Sequence, residues 1–173
     1  MNKTALRREI RLRIMQLTDA ERVATSAEIC RRVTDSQHWQ EASCVLLYYP
    51  MADEVDVRPL VAAALQDGKR VLFPVVKGDD LQLVAYSSET RRGAFGIEEP
   101  IGEPFTKLDE VDLVVVPGRA FDRQGHRLGR GRGYYDRLLP QLSAHRLAVC
   151  FPCQIVDNLP YVPHDAQMDE VVY

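Results

Sequence analysis

Short apolar runs, several of them stopped by proline, constrain this chain more than any other feature. Cys44-Val45-Leu46-Leu47-Tyr48-Tyr49 meets Pro50, Arg70-Val71-Leu72-Phe73 meets Pro74, and residues 111–116 meet Pro117. Apolar runs of about 4–8 residues suit strands covered on both faces, as in a parallel sheet between helices. Residues 81–86 and 146–150 read as further strands. Helical patterns alternate with them. Over residues 2–17, Leu6, Ile10, Ile14 and Leu17 share one face, and Lys3, Arg7 and Arg11 form a row beside it. Thr18-Asp19-Ala20-Glu21 has the capping-box form and should open a second helix running to about residue 36. Residues 57–67 read as a third helix with Gly68 at its C-terminal cap, and residues 134–142 as a fourth. Residues 87–109, broken by glycines and prolines, read as loop.

This alternation predicts an α/β fold: one compact domain over residues 1–173, a sandwich with a central, largely parallel sheet flanked by helices. In such sheets ligands bind beyond the carboxyl ends of the strands. Chemistry is therefore expected just after Tyr49, Phe73 and Val116.

Charge and cysteine usage narrow the classes. Lys and Arg number 22 against 25 Asp and Glu, a formal charge of −3, whereas a general nucleic-acid binder is usually basic. No nucleic-acid partner is expected, although net charge leaves a local basic patch open. No apolar run approaches the roughly 20 residues that span a membrane. The charged start MNKTALRREIRLRIMQL lacks a signal-peptide core, so a cytoplasmic protein with reduced thiols is expected. Cys150 and Cys153 follow an apolar run, with no clear helix start after them and no second pair to complete a zinc site. They read as a buried strand-end cysteine and its neighbour.

The loop Arg127-Leu128-Gly129-Arg130-Gly131-Arg132-Gly133 lies between a buried strand and a helix. Glycines at alternate positions let the backbone turn sharply and approach a ligand. Backbone N–H groups there can cradle an anion, and the arginines add forked donors suited to phosphate. The pattern is neither a P-loop nor a dinucleotide fingerprint. Taken alone it is equally the loop of a sugar-phosphate isomerase, a nucleotide- or RNA-binding segment, or a flexible surface loop.

The flanks are more specific. Pro117-Gly118, Phe121-Asp122, Gly125, Arg127-Leu128-Gly129 and residues 131–136 together resemble the signature of 5-formyltetrahydrofolate cyclo-ligases. Lys3-Thr4-Ala5-Leu6-Arg7 resembles that family's N-terminal Lys-x-x-x-Arg, and Asp53-Glu54-Val55-Asp56 its acidic turn. Gly96-Ile97-Glu98-Glu99-Pro100 is similar to its central loop, and Met168-Asp169-Glu170-Val171 to its C-terminal segment. The blocks stand in the family's order and span nearly the whole chain.

The resemblance implies an isomerase/CoA-transferase-like sandwich and an ATP-using ligase that acts as a monomer with magnesium. It implies conversion of 5-formyltetrahydrofolate and ATP to 5,10-methenyltetrahydrofolate, ADP and phosphate. In the implied mechanism the formyl oxygen attacks the γ-phosphorus, N10 then attacks the formyl carbon, and phosphate leaves. Lys3, Arg7, Arg127, Leu128, Gly129, Arg130, Gly131, Arg132, Gly133, Tyr134 and Tyr135 would hold ATP. Tyr49, Glu54 and residues 130–134 would border the folate, with Arg130 and Tyr134 nearest the reacting groups. Asp136 and Asp169 would hold magnesium. Val57, where the family commonly has Thr, and Arg119, where a smaller or apolar residue is usual, depart from the pattern.

Overall fold

The computed structural model describes residues 2–173. Helix α1 (Lys3–Met15) buries Leu6, Ile10 and Ile14, the stripe expected from the spacing, with Asn2 capping its first turn. Helix α2 (Asp19–Thr34) opens on the capping box: Thr18 Oγ1 accepts from the Glu21 N–H, and the Glu21 carboxylate accepts from the Thr18 N–H at 2.7 Å. A short helix α3 (Gln37–Glu41), not foreseen from the pattern, places Trp39 in the core with no exposure.

Seven strands form one sheet in the order β11-β10-β7-β1-β2-β3-β6. Strands β1 (Cys44–Leu46), β2 (Arg70–Lys77), β7 (Leu113–Val116), β10 (His145–Val149) and β11 (Glu170–Val172) pair in parallel. Strand β3 (Asp80–Ala85) returns antiparallel beside β2, and β6 (Pro104–Phe105) extends that edge. The sheet is largely parallel, as the alternation predicts. Successive strand residues point to opposite faces and feed two cores. Val45, Val71, Leu113 and Leu147 pack with α1, α2 and helix α4 (Arg58–Gln66). Leu46, Leu72, Val114 and Ala148 face helix α5 (Tyr134–Leu138) and the turn after it.

Pro74 does not end its strand. It lies within β2, opposite Leu83 of β3. Strand β1 stops at Leu46, and the Leu47 N–H makes the last bond across to the Leu72 carbonyl. The nitrogen of residue 74 thus faces a side with no ladder to join, where proline costs nothing. Residues 87–109 also hold more order than expected, including a hairpin of β4 (Thr90–Arg92) and β5 (Glu98–Pro100). At its tip Phe95 has φ +58 and is exposed.

A second hairpin, β8 (Ala120–Phe121) with β9 (Arg127–Leu128), carries the glycine/arginine loop away from the sheet. Buried Asp122 organises its turn by accepting from the Gln124 and His126 N–H groups and from the Leu159 N–H. Gly125 has φ +87, and its carbonyl accepts from the Met168 N–H at 2.7 Å. A β-carbon there would sit 2.4 Å from the Met168 carbonyl oxygen, a backbone atom that cannot swing aside. Gly78 also has positive φ but faces open space. Gly125→Ala should therefore lower the thermal midpoint clearly more than Gly78→Ala, with strain alone costing about 1–3 kcal/mol. Equal midpoints in calorimetry would show that the 122–126 turn is not docked on the C-terminal segment.

Candidate active site

A cleft of about 740 Å³ opens beyond the carboxyl ends of β1, β2 and β7. The segment after β1 supplies Tyr48, Tyr49 and Glu54, and the segment after β7 supplies Pro117 and Gly118. The start of α1 contributes Lys3 and Arg7, and the β4–β5 hairpin contributes Phe95 and Glu99. Residues 127–137 line it without a break, so one stretch of sequence forms most of one wall.

Arg127 anchors that wall. It is 6% exposed, and its Nε donates to the Pro117 carbonyl at 2.8 Å. The nearest carboxylate oxygen, on Asp136, is 3.9 Å away, and the Tyr135 ring lies 5.0 Å from the guanidinium carbon. Burial pulls its pKa down, with Asp136 opposing the shift. A buried cation with one carbonyl and one distant carboxylate is under-compensated and would be stabilised by an anion in the cleft. A β-carbon at Gly129 would crowd the guanidinium, 3.1 Å from its Nη1.

Further contacts tie the loop and its surroundings together. Arg7 Nε donates to the Gly129 carbonyl at 2.8 Å and ties α1 to the loop. Lys3 pairs with Asp165 at 2.5 Å, which brings the segment after residue 160 to the rim. Asp53 receives Arg119 at 2.7 Å on one oxygen and Arg130 at 2.5 Å on the other. Burial alone would raise the Asp53 pKa, but the hydrogen bonds from the two arginines win and hold it below the usual carboxylate value. The acidic turn and the glycine loop are thereby clamped together.

Glu54 sits beside this clamp. One of its oxygens accepts from the Met51 N–H at 2.9 Å and lies 3.6 Å from Arg130. Its side chain is 8% exposed, and burial lifts its pKa above the ordinary glutamate value against the pull of Arg130. The Tyr49 ring stacks on Phe73 with centroids 4.2 Å apart, presenting a flat wall. Across the opening, Arg132 lies 5.5 Å from the Phe95 ring centre. Beyond Tyr49 and Glu54 a second cleft of about 600 Å³ continues toward α2 and the start of α4.

The expected residues Lys3, Arg7, Tyr49, Glu54, Arg127, Leu128, Gly129, Arg130, Gly131, Arg132, Gly133, Tyr134, Tyr135 and Asp136 all line the first cleft. Asp169 does not. It precedes β11 at the amino ends of the strands, where its carboxylate accepts from the Arg146 N–H at 2.8 Å and lies 3.8 Å from His145. Asp136 and Asp169 are thus not brought to one point; the parallel direction of β10 and β11 puts Asp169 at the opposite edge from the cleft. Arg119, read as a departure, is the buried partner of Asp53. Val57, the other departure, is fully buried at the N-cap of α4, which has no side-chain cap. Asp53 and Glu99 fell inside the acidic turn and the central loop that resemble the family's but were given no role of their own, and Asp165, a single acidic residue outside any motif, carried no signal. Cys150 is buried with its thiol pKa raised by burial, and Cys153 is half-buried, in keeping with a packing role.

Comparison with known proteins follows the same lines. The chain is 28% identical to a 5-formyltetrahydrofolate cyclo-ligase from Mus musculus, covering 99% of this chain and 93% of that protein. It is 37% identical to one from Mycolicibacterium smegmatis over 74% of this chain and 72% of that one. The fold superposes on the NMR structure of Aquifex aeolicus 5,10-methenyltetrahydrofolate synthetase with a TM-score of 0.89 and 34% identity, covering 99% of this chain and 89% of that chain. The family model described as the 5-formyltetrahydrofolate cyclo-ligase family matches residues 1–173, and the chain belongs to that family.

Proposed function

We propose that this protein closes the ring of 5-formyltetrahydrofolate, using ATP, to give 5,10-methenyltetrahydrofolate, ADP and phosphate. The observation that carries this reading is one continuous cleft with two chemistries. Arginines held on a glycine loop face a buried carboxylate and a flat aromatic wall. A polyphosphate and an aromatic heterocycle placed there would meet at Arg130, Tyr134 and Glu54.

The formyl oxygen of the substrate attacks the γ-phosphorus, the bond to the ADP oxygen breaks, and the formyl carbon becomes a strong electrophile. N10 then bonds to that carbon, the former formyl oxygen departs within phosphate, and the N10 proton is released. No enzyme nucleophile is required, so the residues act by position and charge. Arg127, Arg130 and Arg132, with Lys3 and Arg7, neutralise and orient the phosphates. Residues 129–133 let the backbone approach them, and Tyr134 and Tyr135 close the wall. Tyr49 packs on the pterin, and Glu54 accepts its N–H donors. Asp136 suits magnesium: one oxygen accepts from the Ala166 N–H at 3.0 Å and the other accepts nothing among the described residues. Magnesium keeps most of its waters and needs few protein carboxylates, so one is sufficient beside the phosphates. When bound, the ion supplies charge neutralisation and orientation of the β- and γ-oxygens. A monomer is the expected active form.

The deciding assay mixes the protein with ATP and 5-formyltetrahydrofolate and follows the near-ultraviolet absorbance of the methenyl product. A sugar-phosphate isomerase or an RNA-binding module would give no such product.

Three variants probe the assignments. Arg127→Lys keeps the charge but loses the fork, and should raise the ATP KM by about tenfold or more, as expected when a charge-assisted pair of bonds is lost. Normal ATP kinetics in that variant would remove Arg127 from the phosphate site. Glu54→Gln should weaken folate binding in calorimetry and leave ATP binding within about twofold. Because burial raises the Glu54 pKa, wild-type folate affinity should fall on acidification while an ordinary glutamate is still ionised, and the Gln variant should lose that dependence. Asp136→Asn should lower kcat and require more magnesium, whereas Asp169→Asn should leave the magnesium dependence unchanged. The opposite pattern would move the ion away from Asp136.

A further inference from the structure

Glu99 is the cleft residue whose chemistry no contact in the fold explains. It is 5% exposed on β5 and lines the cleft, yet its carboxylate accepts no hydrogen bond among the described residues. Its one cation is Arg91, which is largely exposed and 3.7 Å away, beyond hydrogen-bond range. The backbone is arranged to leave the carboxylate in place: it lies against Gly93, where a β-carbon would sit 2.0 Å from its terminal carbon. Its oxygens are not fully enclosed by the fold, so the cleft wall holds an open acceptor that no internal donor uses.

We infer that Glu99 is a substrate-binding residue, a second carboxylate acceptor for the N–H donors of the reduced pterin ring. This rests on the folate reading above and deepens it. Phosphate oxygens are excluded as its partner, because two anions would repel. Within the folate reading that leaves an uncharged group rich in donors, and the neighbouring Pro74, Val76 and Ile97 suit a flat ring. A reduced pterin offers the 2-amino group with N3–H on one edge and N8–H elsewhere. Glu54 cannot take them all: one of its oxygens already accepts from the Met51 N–H and lies close to Arg130. Adenine suits the position less well, because its single amino group is flanked by ring acceptors that a carboxylate would repel.

The test uses the full chain and three variants: Glu99→Gln, Glu99→Ala and Arg91→Ala. Glu99→Gln keeps the size but removes the charge, and should raise the KM for 5-formyltetrahydrofolate by about 10- to 100-fold, the range for hydrogen bonds to a charged group. The ATP KM should stay within about twofold, and Glu99→Ala should show the same split. The thermal midpoint without ligand should hold, because no internal hydrogen bond is lost. Arg91→Ala should leave the folate KM within about threefold. A folate KM unchanged by Glu99→Gln overturns the inference, and so does a rise in the ATP KM instead, which would place adenine there. A lowered midpoint, or the same folate defect in Arg91→Ala, also overturns it and makes Glu99 a hairpin brace. A wild-type protein that makes no methenyl product would sink the folate reading itself, a result distinct from each of these.

Discussion

The buried guanidinium of Arg127 holds the working end of this molecule together. Its bond to the Pro117 carbonyl fastens the glycine loop to the chain leaving β7. A β-carbon at Gly129 would crowd it, Tyr135 lies against it, and Asp136 is the nearest negative charge. A largely buried cation with so few internal partners is a poor stabiliser of the fold. It makes sense as a fixed, positive group prepared for an anion, with the cost met by the sheet and the two cores behind it.

Around that centre the cleft combines cations from α1 and the glycine loop with Glu54, Glu99 and the stacked Tyr49. Behind it, Asp53 binds Arg119 and Arg130 at once and so aligns the acidic turn with the loop. Arg130 lies close to both Asp53 and Glu54, which places one side chain between the glycine loop and the acidic turn. The proposed phosphoryl transfer to a folate oxygen would need a cation in such a position, where the two ligands meet.

The β4–β5 hairpin supplies the remaining wall, and it is less firmly tied than the sheet. Its tip holds a non-glycine residue at positive φ, its aromatic ring is exposed, and its contact with the loop is the approach of Arg132 to Phe95. Local stability is lowest where few buried contacts hold a segment, and binding walls are commonly drawn from such segments.

The sequence by itself determined the architecture and the make-up of the loop. Apolar runs of strand length, a capping box and a three-per-two-turn stripe on α1 depend only on neighbours in the chain, and each appears where the pattern put it. The glycine and arginine spacing likewise states locally that a backbone turn and fixed cations coincide. Tertiary structure alone decided the pairings between distant segments. Pro74 is tolerated inside β2 because β1 ends early beside it. Arg119 finds Asp53, 66 positions away in sequence. Asp136 faces the cleft while Asp169 falls at the other edge of the sheet, because strand direction fixes which end a flanking residue occupies. Glu99 has the same character: it sits in the block that resembles the family's central loop, but only folding carries its carboxylate to the cleft wall without an internal donor. Burial and partnership depend on which strands become neighbours, and no local pattern in the chain records that choice.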